Sequence, residues 1–229
     1  MNVSIIIVNF NTKQLLLNCI DSIYTHTKDI SFEIIVSDNA STDGSVEMVK
    51  TQFPNVILIE NKMNLGFGAA NNKALKIAKG KYIFYLNSDT VLLNNAVKIF
   101  YDYWETNKDN EPLGAIGCNL LNENMQIIHS YGKFPGYKIA LKELLIMFFL
   151  NILLSILYIL HIIPKKRISN SNLSKFIGKV DYITGADLFL LNDDYANFDE
   201  LFLLYFEDAD LQLHMQKNTN KKSIIMEGP

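Results

Sequence analysis

The sequence predicts an α/β fold, and three observations carry that expectation. Four short runs in the first ninety residues, "VSIIIV", "FEIIVS", "VILIE" and "YIFYL", are apolar at nearly every position. Stretches with helical spacing separate them, and polar loops rich in Asn, Asp, Ser and Thr mark the junctions. Runs that are apolar throughout suit strands buried on both faces of a parallel sheet. The order β-α-β-α-β-α-β predicts a doubly wound half whose ligands lie above the carboxyl ends of its strands.

Each element has its own warrant. "MNVSIIIVNFN" lacks a basic start and a cleavage site, so it is expected to be a first strand and not a signal peptide. A helix is expected from about Thr12, with Leu16, Ile20, Ile23 and Tyr24 on one face. "FEIIVS" leads into "DGSVEMVKTQF", where Val46, Val49 and Phe53 keep helical spacing, and "VILIE" leads into "GAANNKALKIA". The loops "NFN", "SDNAST", "NKMNLGFG" and "NSDT" then fall along one rim of the sheet. In the second half, "EPLGAIGCNLLNENMQIIHSYG" suggests two strands around an Asn-rich turn. "KVDYITGADLFLLN" reads as strands and "FEDADLQLHMQKN" as a loop opening a helix. Between them, residues 144–163 form an almost uninterrupted apolar block.

Bulk properties bound the function. A chain of 229 residues with 49% apolar content supports a substantial core. A net charge of −3 argues against nucleic acid as a partner bound through a broad basic surface. The two cysteines, Cys19 and Cys118, lack metal-ligand spacing and suit reduced thiols in a cytosolic protein. The loop after the first strand, "NFNTKQ", has no glycine, which weighs against a dinucleotide-binding oxidoreductase and a nucleotidyltransferase.

The chemistry gathers in the loops. Asp89 ends an apolar run, where a lone buried carboxylate would be costly, so it is expected to be solvated, paired or holding a cation. A nucleotide diphosphate across this rim would need a divalent cation, and a strand-end carboxylate can ligate one. Asp38 suits either the N–H of a pyrimidine ring or an Asx-turn. Gly66 and Gly68 would let backbone approach a ligand, with free helical N–H groups behind them for phosphate. Glu207 and Asp208 open a helix after the aromatic run "LFLLYF", as dipole partners or as a general base in an enclosed site.

Taken in register, "VSIIIVNFN", "IIVSDNASTDGS", "NLGFGAANN", "YLNSDT", "TGADLFL" and "DELFLLYFEDADL" resemble the family 2 glycosyltransferases, in particular rhamnosyltransferase-like members that build bacterial surface polysaccharides. The resemblance implies one GT-A domain over 1–229: a Rossmann-like nucleotide-sugar-binding half (1–93), a mixed central sheet and a variable acceptor half (94–229). It implies that Asp38 binds the base, uracil or thymine. Asn9, Asn11, Asn64, Gly66, Gly68, Asn71, Asn87 and Ser88 would surround the rest of the nucleotide sugar. Asp89 would hold Mg²⁺ or Mn²⁺, Asp208 would be the catalytic base with Glu207 beside it, and Gly185 and Ala186 would face the acceptor. Asn87 stands where the family's metal motif has its first Asp, so that position supplies no charge. The resemblance also implies further helices and a metal-holding His beyond Pro229. The acceptor would be a glycan or a polyprenyl-linked sugar. With Lys138, Lys142, Lys165, Lys166 and Arg167 flanking it, the 144–163 block would dock peripherally on the inner face of the cell membrane without crossing it, the alternative being a buried core helix. The alternatives are a non-catalytic nucleotide-sugar or glycan-binding homologue, and a hydrolase with two acid/base carboxylates.

Overall fold

A computed structural model describes residues 1–134, 174–202 and 205–227. The apolar block 144–163 and its flanking basic residues lie outside the described residues. No helix among the described residues is long and apolar enough to cross a membrane.

The expected alternation is present from the first strand. β1 (Val3–Asn9), α1 (Lys13–His26), β2 (Phe32–Asp38), α2 (Ser45–Gln52), β3 (Ile57–Glu60), α3 (Phe67–Leu75) and β4 (Tyr82–Leu86) follow one another. Every residue of β4 is buried, as a run apolar at every position requires of a central strand. α1 buries Leu16, Ile20 and Ile23 as its spacing predicts, but Tyr24 stays exposed and stacks on Phe53. A further helix, α4 (Ala96–Asn107), turns Val97, Phe100 and Trp104 inward.

In the second half, β5 (Leu113–Cys118) is followed by an Asn-rich turn, closed by a bridge between Leu121 and Ile127. Next come β6 (Tyr131–Gly132), β7 (Gly178–Val180), β8 (Tyr182–Ile183), β9 (Asp187–Leu191), α5 (Glu207–Thr219) and β10 (Lys222–Met226). One sheet takes eight of these strands in the order β3-β2-β1-β4-β9-β5-β10-β7; β6 and β8 form a separate pair. β1 pairs in parallel with both β2 and β4, so the strand order reverses at β1 and opens a crevice at its carboxyl end. β9 runs antiparallel between β4 and β5, which brings the start of the second half's central strand to that same edge.

Two apolar layers sandwich the sheet. Residues of α1, α2 and α4 pack with Ile5, Phe84 and Phe189 on one face. Residues of α3 and α5 pack with Ile6, Tyr85 and Leu188 on the other.

Gly80, just before β4, allows the closest backbone approach in this half. A Cβ there would lie 2.3 Å from the Ser4 nitrogen and 2.6 Å from the Val3 carbonyl carbon. Gly80→Ala must therefore displace β1 or β4 backbone, and is expected to destabilise by roughly 3 kcal/mol, at the upper end for overpacking. Urea unfolding of the variant checks it; an unchanged midpoint would show that the two strands can separate without strain.

Candidate active site

The carboxyl ends of β1, β2 and β4 meet in one hydrogen-bond network. Asn9, the last residue of β1, donates from Nδ2 to Asp38 Oδ2 at 2.7 Å and to Ser41 Oγ at 3.0 Å. Its Oδ1 accepts from Thr12 Oγ1 at 2.6 Å, and that hydroxyl lies 3.0 Å from Ser88 Oγ beyond β4. Asp38 Oδ1 accepts the Ser41 backbone N–H at 2.8 Å. Asn11, held at φ +55°, accepts the Thr42 N–H on its side-chain oxygen and donates its own N–H to Ser41 Oγ. Asn9, Asn11, Asp38 and Ser88, spread over eighty residues of chain, thus form a single patch.

Asp38 is 1% exposed and both its oxygens are engaged, so its Asx-turn bonds are present whatever else it binds. The loop before α3 continues the rim. Gly66 sits at φ +82°, which only glycine adopts without strain, and its N–H donates to Asn64 Oδ1. No side chain caps α3, which leaves its first turn of N–H groups without a capping partner. Asn39, not singled out by the sequence pattern, joins this loop to β2: Nδ2 donates to the Gly66 carbonyl and Oδ1 accepts from Asn61. Gly68 and Asn71 lie elsewhere. Gly68 is buried where a Cβ would come within 3.1 Å of Phe198, so its smallness serves packing. Asn71 is buried with its amide donating to the Phe67 carbonyl one turn back.

After β4 the chain turns back through Asn87–Thr90, with Thr90 N–H donating to the Asn87 carbonyl. Asp89 stands exposed on this turn, the solvated outcome among those open to it. Among the described residues no group of three or more His, Cys, Asp or Glu side chains could hold a metal by itself. A divalent cation at the Asp89 carboxylate would have to take its remaining ligands from phosphate and water, as Mg²⁺ commonly does. Behind the turn, burial pushes the Cys19 thiol up to about 12, with the Asp89 charge adding to it, so this cysteine is an inert core residue.

The second half reaches the turn through residues 184–187. Asn87 N–H donates to the Ala186 carbonyl at 3.2 Å. Gly185 N–H donates to Asp208 Oδ2 at 2.8 Å, and Gly185 itself is wedged between the Phe67 ring and the Asp208 Cβ. Asp208, on the first turn of α5, is partly exposed. Glu207 beside it is buried with Oε2 unpartnered, and burial raises its pKa. Just before them, Tyr205 and Phe206 hold φ +71° and +69°, a strained backbone for aromatic residues.

Asp187 was the acid the sequence pattern passed over, although a carboxylate inside "DLFLL" is the same anomaly as one ending "YIFYL". It is 2% exposed; Oδ2 accepts the Cys118 N–H at 2.6 Å and Oδ1 has no partner. Burial pushes its pKa up to about 8, against the lowering effect of the Cys118 bonds.

Two outcomes follow from this geometry. Asp38→Ala removes one of the two acceptors of the buried Asn9 amide and leaves the Ser41 N–H without its partner, and is expected to cost about 1–3 kcal/mol of stability in chemical denaturation; no loss would mean water replaces the carboxylate. A carboxyl whose folded pKa exceeds its unfolded one contributes stability at low pH that is lost as pH rises toward the folded value. Asp187 should therefore make the melting temperature fall between pH 5 and 8, and Asp187→Asn should flatten that slope. Parallel pH profiles for the two proteins would refute the assignment.

The comparisons with known proteins agree with this layout. The sequence model described as "Glycosyl transferase family 2" matches residues 4–148. The poly(ribitol-phosphate) beta-glucosyltransferase of Bacillus spizizenii is 36% identical over 121 residues, covering 51% of this chain and 19% of that protein. The Escherichia coli protein named UDP-Glc:alpha-D-GlcNAc-diphosphoundecaprenol beta-1,3-glucosyltransferase WfaP is 37% identical over 107 residues, covering 46% and 38%. The uncharacterized glycosyltransferase MJ1057 of Methanocaldococcus jannaschii is 34% identical over 152 residues, covering 64% and 51%. The chain thus spans about half or less of the length of these curated relatives. The crystal structure of S. aureus TarS 1-349 in complex with UDP superimposes with a TM-score of 0.63 at 17% identity, covering 99% of this chain and 58% of that one. That likeness is one of fold, GT-A, with its mixed central sheet. With well over half of its residues inside the family match, this chain belongs to glycosyl transferase family 2.

Proposed function

We propose that this protein is an inverting glycosyltransferase that moves a hexosyl group from a UDP- or dTDP-linked donor to a glycan or lipid-linked acceptor in surface polysaccharide synthesis. The observation that carries the reading is the meeting, at one edge of the sheet, of the Asn9–Asp38 rim, the exposed Asp89 turn and the 184–187 segment bonded to Asp208. Family membership and relatives named as nucleotide-sugar enzymes support it.

In this reading the nucleotide lies over the rim built by Asn9, Asn11 and Asp38, its phosphates toward the uncapped start of α3. Asp38 acts by holding the rim in shape, and any contact with the base adds to its two existing bonds. Asp89 would hold a divalent cation, which when bound offsets the charge of the leaving diphosphate. Asp208 takes the proton of the acceptor hydroxyl. Each of its oxygens accepts one backbone N–H, from Gly185 and from Ala209, and these bonds fix its direction while leaving a lone pair free. Burial raises the pKa of Glu207, which disfavours a second charge beside Asp208.

The reading is tested by transfer assays with UDP- and dTDP-linked hexoses, dTDP-rhamnose included. Asp208→Asn is expected to lower turnover about 10²–10⁴-fold with donor affinity nearly unchanged. Asp89→Ala should abolish the Mg²⁺ or Mn²⁺ dependence of UDP binding in calorimetry. Wild-type turnover in the first variant, or undiminished metal dependence in the second, would move the base or the cation to other residues.

A further inference from the structure

Gln212, one turn beyond Asp208 on α5, is completely buried, and its amide makes every hydrogen bond open to it. Nε2 donates to the Ile183 carbonyl at 2.7 Å and to the Asp208 carbonyl at 2.9 Å. Oε1 accepts the Ile183 N–H at 2.9 Å and the Ser223 hydroxyl at 2.7 Å. Two of these partners are carbonyls and one is an N–H, so a single orientation of the amide satisfies them all. One side chain thus joins the first turn of α5, both backbone groups of Ile183 on β8, and β10 of the central sheet. β8 depends on such a tie. It has two residues and pairs only with the equally short β6, outside the eight-stranded sheet. Gln216, one further turn along α5, holds the same segment through a single bond, to the Asp181 carbonyl at 2.6 Å.

Asp208 takes its direction from two backbone N–H groups, those of Gly185 and Ala209. Gly185 lies two residues after Ile183, so the bonds close a ring. It runs from the Gln212 amide to Ile183, along the chain to Gly185, across to the Asp208 carboxylate, and from the Asp208 carbonyl back to Gln212. We propose that Gln212 is the positioning residue for Asp208: it touches no reacting group, and its amide sets where the Gly185 N–H meets the carboxylate. The consequence for turnover rests on the reading of Asp208 as the base; the ring does not. Such placement matters to a base, because an error of about 1 Å can cost about 10²-fold in rate. A neutral side chain suits the position, since two carbonyls face Nε2 and would repel a carboxylate there.

The test compares Gln212→Glu and Gln212→Met with Gln216→Met, which loosens the same helix and strand but leaves the ring intact. Amide hydrogen exchange is followed by NMR on the 229-residue chain. The Gly185 N–H should exchange about tenfold faster in either Gln212 variant, the effect of losing about one net hydrogen bond. In Gln216→Met it should stay near the parent rate. In transfer assays, the Gln212 variants should lose about 10–100-fold in turnover with the donor KM nearly unchanged. In an Asp208→Asn background the same substitutions should cost no further turnover, because a residue acting only through Asp208 has nothing left to position. Gln212→Met buries no charge and supplies the readings if the glutamate variant does not fold. Unchanged Gly185 exchange in the Gln212 variants, or equal acceleration in Gln216→Met, overturns the proposal. An equal turnover loss in the Asp208→Asn background also overturns it, and would make Gln212 a support of the fold alone. Faster Gly185 exchange confined to the Gln212 variants, in a protein whose Asp208→Asn variant keeps parent turnover or which transfers no sugar, would uphold the ring and remove the base reading instead.

Discussion

The Asn9–Asp38 hydrogen bond, 2.7 Å long and closed off from solvent, is the constraint on which this edge of the sheet depends. It joins the last residues of two parallel strands that lie opposite one another in register. A carboxylate buried to this extent is tolerable only because its oxygens accept from the Asn9 amide and the Ser41 N–H. From Asn9 the chain of bonds passes through Thr12 to Ser88, so the turn bearing Asp89 is referenced to the same point. From the residue after Asp38, it passes through Asn39 to the Gly66 carbonyl and so to the start of α3. Loops from three βα units are thereby held by side chains, in addition to backbone bonds such as that from the Asn39 N–H to the Asn9 carbonyl. A preformed rim of this kind lowers the ordering cost of binding a flexible ligand.

The acids of the site divide by solvation. Asp187 and Glu207 are buried, and burial favours their neutral forms. Asp89 and Asp208 are at least partly open to water. Besides the paired Asp38, four carboxyls lie near this edge, and they would repel one another strongly if all were charged. Sorting these four by depth disfavours charge on the buried pair, and in the proposed reading leaves Asp89 for a cation and Asp208 for a proton. The edge can then carry acids at this density without a matching set of basic side chains.

The two halves of the chain share this edge because β9 is inserted, antiparallel, between β4 and β5. Leu86 lies opposite Asp187, so the end of one half's central strand abuts the start of the other's. Asn72 reinforces the junction by bonding both the N–H and the carbonyl of Phe198. A shift of α5 relative to α3 would disturb Asp208, Gly185 and the Phe67 ring together.

The sequence by itself determined the alternation of strands and helices through β4 and the rim on which their loops fall, while the exposure of Asp89 was decided among its alternatives by the structure. These are local properties: an apolar run sets burial, and Asn, Asp and Gly set turns within a few residues. The family's motifs were legible for the same reason. Tertiary structure alone decided which rim residues are occupied by one another. Asn71 and Gly68 fit the pattern of a ligand loop, yet face Phe67 and Phe198 inside the protein. Asp38 fits both a base contact and a turn; its turn bond from Ser41 is local, but its other oxygen is taken by Asn9, twenty-nine residues away. Asp187 could not be weighed from its neighbours, because its burial follows from the pairing of β9 with β4 and its bond from Cys118, sixty-nine residues earlier. Burial and hydrogen-bond partnership are properties of what lies opposite in space, and sequence spacing does not record that for strands joined across the sheet.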